Sequence, residues 1–273
     1  MNRRQALRAA AAIGAGLTVA GCADRPSAVI AGSSATRSRT VPGRPASSSS
    51  AAATSAGGAS PATGPSSGGV VPALPPEVAH GPRDRPAVAL TFHGQGEPAV
   101  VTELLSKLQA NNVRVTVLAV GTWLAAQPSM AGRILDGGHE LGNHTQHHLD
   151  IAGMNAGEAF QEIDECAATL RRLTGSTGIW FRPSQTQHAT PIIRAQATRA
   201  GYRTCLSYDV DSLDYTDPPV DTVVNATLGG VRNGSIVSMH FGHAVTIAAL
   251  GPILDGLRTR GLRTATMSQL VAR

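Results

Sequence analysis

Pro86-Ala-Val-Ala-Leu-Thr-Phe92, followed at once by Pro98-Ala-Val-Val-Thr-Glu-Leu-Leu-Ser-Lys-Leu-Gln-Ala110, decides the fold class. The first run is short, apolar and rich in small and β-branched side chains, which suits a strand buried on both faces. In the second, Val101, Leu104, Leu105 and Leu108 recur at helical spacing, and Pro98 suits a first helical turn, where its missing N–H costs nothing. Working outward, the same alternation continues. Strands are expected at Val113–Val120, His139–Asn143, Ile179–Arg182, Tyr202–Asp209 and Ser235–His240. Helices are expected as two short pieces between Trp123 and Leu135, then at Ala156–Leu173, Pro191–Ala200, Val220–Leu228 and Thr246–Arg260. Repeated strand-helix units predict an α/β fold with a mostly parallel sheet, open or closed into a barrel.

Composition divides the chain of 273 residues before any motif is considered. Residues 1–85 hold 9 basic and 3 acidic side chains, whereas residues 86–273 hold 14 and 15, so the excess positive charge lies in the first third. All nine aromatics lie beyond residue 85. A core requires large apolar side chains, so residues 86–273 are the expected globular domain. Its near-neutral charge argues against nucleic acid as a partner, since phosphate binding needs clustered basic residues on the folded surface.

Residues 1–22 read as an export signal: Arg3, Arg4 and Arg8, an apolar small-residue stretch from Ala9 to Ala20, then Val19-Ala20-Gly21-Cys22. That stretch is too short and too rich in Ala and Gly for a spanning helix. Arg3-Arg4 resembles a twin-arginine signal and the last four residues a lipobox, making Cys22 the expected lipidation site and the outer face of a bacterial membrane the expected location. Between residues 23 and 85, Ala, Ser, Pro, Gly and Thr make up 46 of 63 positions. Such a segment cannot recover its ordering entropy by burial and is expected to be a disordered linker. Cys166 and Cys205 remain, open to a disulfide or to separate packing as small hydrophobes.

Ligands in parallel α/β folds gather beyond the carboxyl ends of the strands. His93, His144 and His148, Arg182, Asp209, Asp211 and Asp214, and His240 and His243 fall at or just after five expected strand ends. In Asn143-His144-Thr145-Gln146-His147-His148, His144 and His148 are four apart, which on a helical turn puts both imidazoles on one side, near enough to share a divalent ion. His147 faces away from that pair and is expected to be solvated or to support a neighbour. Gly94-Gln95-Gly96-Glu97-Pro98-Ala99 satisfies a dinucleotide fingerprint, but the second expected strand ends Leu118-Ala119-Val120-Gly121 without the acidic residue that would hold a ribose.

Taken together, TFHGQG (91–96), NHTQHH (143–148), FRPSQ (181–185), YDVDSLDY (208–215) and GSIVSMH (234–240) resemble the polysaccharide deacetylases of carbohydrate esterase family 4, the NodB-homology domain. The resemblance covers residues 86–273 with all five motifs in the family order. It implies a distorted (β/α) barrel and a metal-dependent hydrolase of carbon-nitrogen bonds other than peptide bonds. That enzyme would remove acetyl groups from an N-acetylhexosamine glycan such as peptidoglycan. By resemblance His144 and His148 are metal ligands and His240 is the general acid. Arg182 orients the base, and Asp211 or Asp214 supports this network. Two motifs depart from the family. Its Thr-Phe-Asp-Asp-Gly, carrying the base and the third ligand, is here Thr91-Phe92-His93-Gly94-Gln95. Glycine cannot bind a metal. Either His93 becomes the third ligand of a His₃ site of the kind zinc accepts, or Glu97 reaches back from the helix start, or the metal site is lost. His93 is also a candidate base. The Arg-Pro-Pro-aromatic-Gly motif becomes Arg182-Pro183-Ser184-Gln185-Thr186, making Ser184 and Gln185 candidates to line the acetyl pocket. Tyr215 stands where the family usually has Trp, a candidate glycan-stacking residue. Loss of both first-motif aspartates leaves open an inactive lipoprotein that keeps the fold and binds envelope glycan.

Overall fold

The computed structural model describes residues 74–272. The expected signal, Cys22 and most of the expected linker lie outside the described residues. The elements are β1 (Glu77–Val78), β2 (Ala87–Gly94), α1 (Pro98–Ala110), β3 (Thr116–Ala119), α2 (Gly121–Ala126), α3 (Ser129–Asp136), β4 (Glu140–Asn143), α4 (Ala156–Thr174), α5 (Pro191–Arg199), β5 (Cys205–Leu206), β6 (Val210–Asp211), α6 (Val220–Gly230), β7 (Ile236–His240), α7 (Ala244–Thr259), β8 (Arg263–Ala265) and α8 (Met267–Val271). No helix among the described residues is long and apolar enough to cross a membrane.

The sheet is parallel throughout, in the order β4-β3-β2-β7-β6 with β8 also paired to β2. β2 sits at its centre, and Ala87, Val88, Ala89, Leu90 and Phe92 are all buried, as expected for a strand covered on both faces. Residues Asn143, Phe181 and Cys205 continue the path beyond β4 through isolated parallel bridges, leading to β5 and its parallel partner β1. Helices pack around this path, α1 against α7, α4 against α5 and α2, and α6 against α7. The apolar stripe of α1 is the one its spacing predicts, with Val101, Leu104, Leu105 and Leu108 buried. Fully burying each such leucine contributes about 1.5–3 kcal/mol. Asn155 and Glu158 form a capping box at the start of α4, and Gly175 ends that helix at φ 77°, a conformation natural to glycine.

Four sequence expectations are corrected. Residues 74–85, assigned to the linker by composition, pack on the domain. Val78 is buried in the cluster that includes Leu206 and Ile236, Glu77 pairs with Cys205, and Arg83 reaches Asp209 at 2.7 Å. The strand expected at Ile179–Arg182 shrinks to Phe181 alone, because Gly178 turns the chain at φ 67° on one side and Pro183, which has no amide hydrogen, stands on the other. The strand expected at Tyr202–Asp209 is divided into β5 and β6, which pair with different neighbours. The stretch around His144 and His148 is not helical: Thr145 and His148 both take left-handed conformations, at φ 68° and 57°. Cys166 and Cys205 are free thiols in separate core clusters, and burial pushes both up to about 12.

Candidate active site

Parallel strands deliver their last side chains to one rim, and the register decides which meet. His93 on β2 lies opposite His240 on β7, and their rings stack at 4.3 Å between centroids. His144 follows β4 directly, and its backbone N–H donates to the carbonyl of Ala119 at the end of β3. The reversal through Thr145 and His148 brings the His148 ring within 4.8 Å of the His144 ring. One ring nitrogen from each of His93, His144 and His148 lies within 4.8 Å of the others. The two histidines that the spacing paired do come together, but through two left-handed residues rather than a helical turn.

The hydrogen bonds assign protons within this group. His144 Nδ1 faces the carbonyl of Arg182 at 2.9 Å and must donate to it, leaving a lone pair on Nε2. That nitrogen lies 2.7 Å from Nδ1 of His93. Burial and the neighbouring positive groups hold His93 and His144 well below the ordinary imidazole range, and burial followed by His240 lowers His148. Neutral imidazoles are the form that binds metal, and an all-nitrogen set suits zinc. Glu97 occupies the N-cap position of α1 and is not part of this group.

Arg182 is fully buried and, among the described residues, has no carboxylate within ion-pair distance. Its guanidinium donates to the carbonyls of Leu206 and Ser207 at 3.2 Å, to Thr91 at 2.8 Å and to His93 Nε2 at 3.3 Å. Burial pulls its pKa down to about 10, against the opposing influence of Tyr208 and Asp211. Asp214, fully buried, accepts from His240 Nδ1 at 2.7 Å, from the His240 backbone N–H at 2.8 Å and from Thr246 at 2.6 Å. Burial raises the Asp214 carboxyl, but these bonds outweigh it and hold the group below the usual carboxylate value.

A cleft of about 320 Å³ is lined by His93 and His148 of this group together with Gln185, Thr186, Gln187, Tyr208, Asp211, Tyr215, Ser238 and His240. Tyr215 is half exposed, with its ring 5.1 Å from that of His240. Gln185 lines the cleft while its amide donates to the carbonyl of His148. Ser184 does not line it: the side chain is buried, bonded to Thr145 and the carbonyl of Leu149, and ties two loops together. Asp211 accepts from the Leu213 N–H and leaves His240 to Asp214. His147 turns away, as expected, to Glu162 at 2.7 Å. Asp209 binds Arg83, Ser235 and the Ile236 N–H and serves the fold rather than the cleft. Sequence reasoning missed Thr91 and Ser238, both bonded into the site. The signal was available: each lies two residues before a rim histidine, hence on the same strand face.

An α/β domain whose strand ends gather three imidazoles, a buried arginine and an Asp-His pair around one cleft has the makings of a hydrolase. A family model described as polysaccharide deacetylase matches residues 80–205. A peptidoglycan-N-acetylglucosamine deacetylase of Bacillus cereus is 30% identical over 197 residues, covering 70% of this chain and 70% of its own. A chitooligosaccharide deacetylase of Rhizobium leguminosarum is 30% identical over 211 residues, covering 70% of this chain and 91% of its own. The crystal structure of a carbohydrate esterase family 4 pseudoenzyme from Bacillus anthracis shares the fold, with a TM-score of 0.68 at 21% identity, covering 72% of this chain and 69% of that one. The chain belongs to the polysaccharide deacetylase family.

Proposed function

We propose that the domain is a distorted (β/α) barrel that removes acetyl groups from an N-acetylhexosamine glycan of the cell envelope, such as peptidoglycan, with a divalent ion, zinc by preference, held by His93, His144 and His148. The observation that carries this reading is the convergence of those three ring nitrogens within 4.8 Å of one another, beside the cleft that His93 and His148 line. An ion there supplies Lewis acidity toward the acetyl carbonyl and the attacking water. The chain's own groups do the rest. Asp214 engages Nδ1 of His240, which leaves Nε2 to deliver a proton to the departing amine. Asp211 is the one carboxylate lining the cleft among the described residues and receives the proton released there. Arg182 holds His93 in place, and Tyr215 and Gln185 flank the sugar. Residues 1–22 export the chain, Cys22 anchors it by lipid to the outer face of the membrane, and the linker lets it reach the wall.

A second reading rests on Gly94. A side chain there would start 2.8 Å from Val117 and 3.0 Å from the Ala119 backbone, so the packing leaves no room for the family's second aspartate. A domain of this fold that binds envelope glycan without turning it over fits that feature, as does the pseudoenzyme among its structural relatives. Elemental analysis of the purified full chain, with acetate release from acetylated glucosamine oligomers, separates the two. The deacetylase reading expects one equivalent of divalent metal and acetate production, both lost on His93→Ala. Glycan binding with neither metal nor acetate establishes the inactive reading.

A further inference from the structure

The proton between His93 and His144 points to a role for Ser238. His144 carries its own proton on Nδ1, so its Nε2 is an acceptor, and the 2.7 Å contact requires the hydrogen to sit on Nδ1 of His93. In that form Nε2 of His93 is an acceptor and receives Ser238 Oγ at 2.9 Å and Arg182 at 3.3 Å. All four ring nitrogens of His93 and His144 are then satisfied, but His93 has a hydrogen where a ligand needs a lone pair. For Nδ1 to bind an ion, the proton must move to Nε2 and find an acceptor there. Arg182 has only donors. A hydroxyl both donates and accepts, so Ser238 can serve either form by rotating.

We propose that Ser238 is a positioning residue for the metal centre, donating to Nε2 of His93 in the free site and accepting from Nε2–H when Nδ1 is a ligand; this rests on the deacetylase reading given above. Partners that fix the tautomer of a metal-binding histidine are typically worth 10–100-fold in affinity. Ser238 is 1% exposed on the central part of β7, level with Thr91, so nothing in the free fold depends on its meeting solvent.

The test is zinc titration of the full chain by calorimetry for wild type, Ser238→Ala and Ser238→Thr, with melting of each metal-free protein and ¹⁵N spectra of the histidines. Ser238→Ala is expected to bind zinc about 10–100-fold more weakly, while Ser238→Thr, which keeps the hydroxyl, restores most of that loss. In wild type the His93 proton is expected to move from Nδ1 to Nε2 on adding zinc. Equal affinity for wild type and Ser238→Ala overturns the role of Ser238 and leaves the metal centre standing. A His93 proton that stays on Nδ1 in the zinc-loaded protein overturns it as well, and needs no variant. Failure of the wild type to bind zinc, together with no divalent metal in the elemental analysis described above, overturns the deacetylase reading itself, and this role with it.

Discussion

Both oxygens of Asp214 are committed, one to His240 Nδ1 and the other to the His240 backbone and Thr246, inside a pocket closed to solvent. An amide at this position keeps one acceptor and adds two hydrogens that face existing donors. Asp214→Asn is therefore expected to misalign His240 and lower acetate release by about 10²–10⁴-fold, the range lost with a general acid. On the deacetylase reading, metal content should stay at the wild-type level, because Asp214 bonds His240 and Thr246 and none of His93, His144 and His148. Steady-state rates with metal analysis of the same preparation check both. Arg182 shows a related economy. It is held by two carbonyls, a threonine hydroxyl and a histidine nitrogen.

β2 and β3 approach closely at Gly94, where a methyl group would meet Val117 and Ala119. Gly94→Ala is expected to destabilise the domain by about 1–3 kcal/mol through overpacking. Gly132→Ala, in α3 with nothing within 4 Å, is the contrasting control and should stabilise by about 0.5–1 kcal/mol. Urea unfolding of both variants decides this. Long amphipathic elements were legible in sequence. α1 has the predicted span and buried face, and α4 extends one residue beyond expectation. Short connecting pieces were not. Phe181 keeps the ladder bonds of a strand through its neighbours Trp180 and Arg182, yet the turn before it and the proline after it leave no length for pairing. His144 and His148 meet through two residues at positive φ, a backbone choice that neither hydrophobic period nor composition signals for Thr or His.

Across the whole domain, buried neutral histidines link stability to pH. Burial lowers His93, His144 and His139 below the 6.5 of a free imidazole, with neighbouring positive charges adding to the effect. Between the folded value and 6.5 the unfolded chain takes up protons that the folded chain refuses. Their contribution is therefore complete above pH 6.5 and is lost as pH falls, by at most about 1.4 kcal/mol per pH unit for each group. The melting temperature of the metal-free protein is expected to be level from pH 8 to 7 and to drop steadily from pH 6.5 to 5. Asp214 adds to the loss only at the acid end, below its unperturbed value of 3.8. Composition located the globular region but placed its start too late. Pro75, Pro76 and Gly81 read as linker, while the backbone bonds from Cys205 to Pro76 and from Gly81 to Gly234 stitch this segment to the sheet. One contact acts on the cleft from outside it. Gly96, in the loop that follows His93, and Gly242, in the loop that follows His240, lie so close that a carbon added to either would strike the other's backbone, at 2.4 Å from one side and 2.8 Å from the other. Two residues with no reactive atom thus let the loops behind the stacked imidazoles of His93 and His240 touch, and any side chain there would work as a wedge between them.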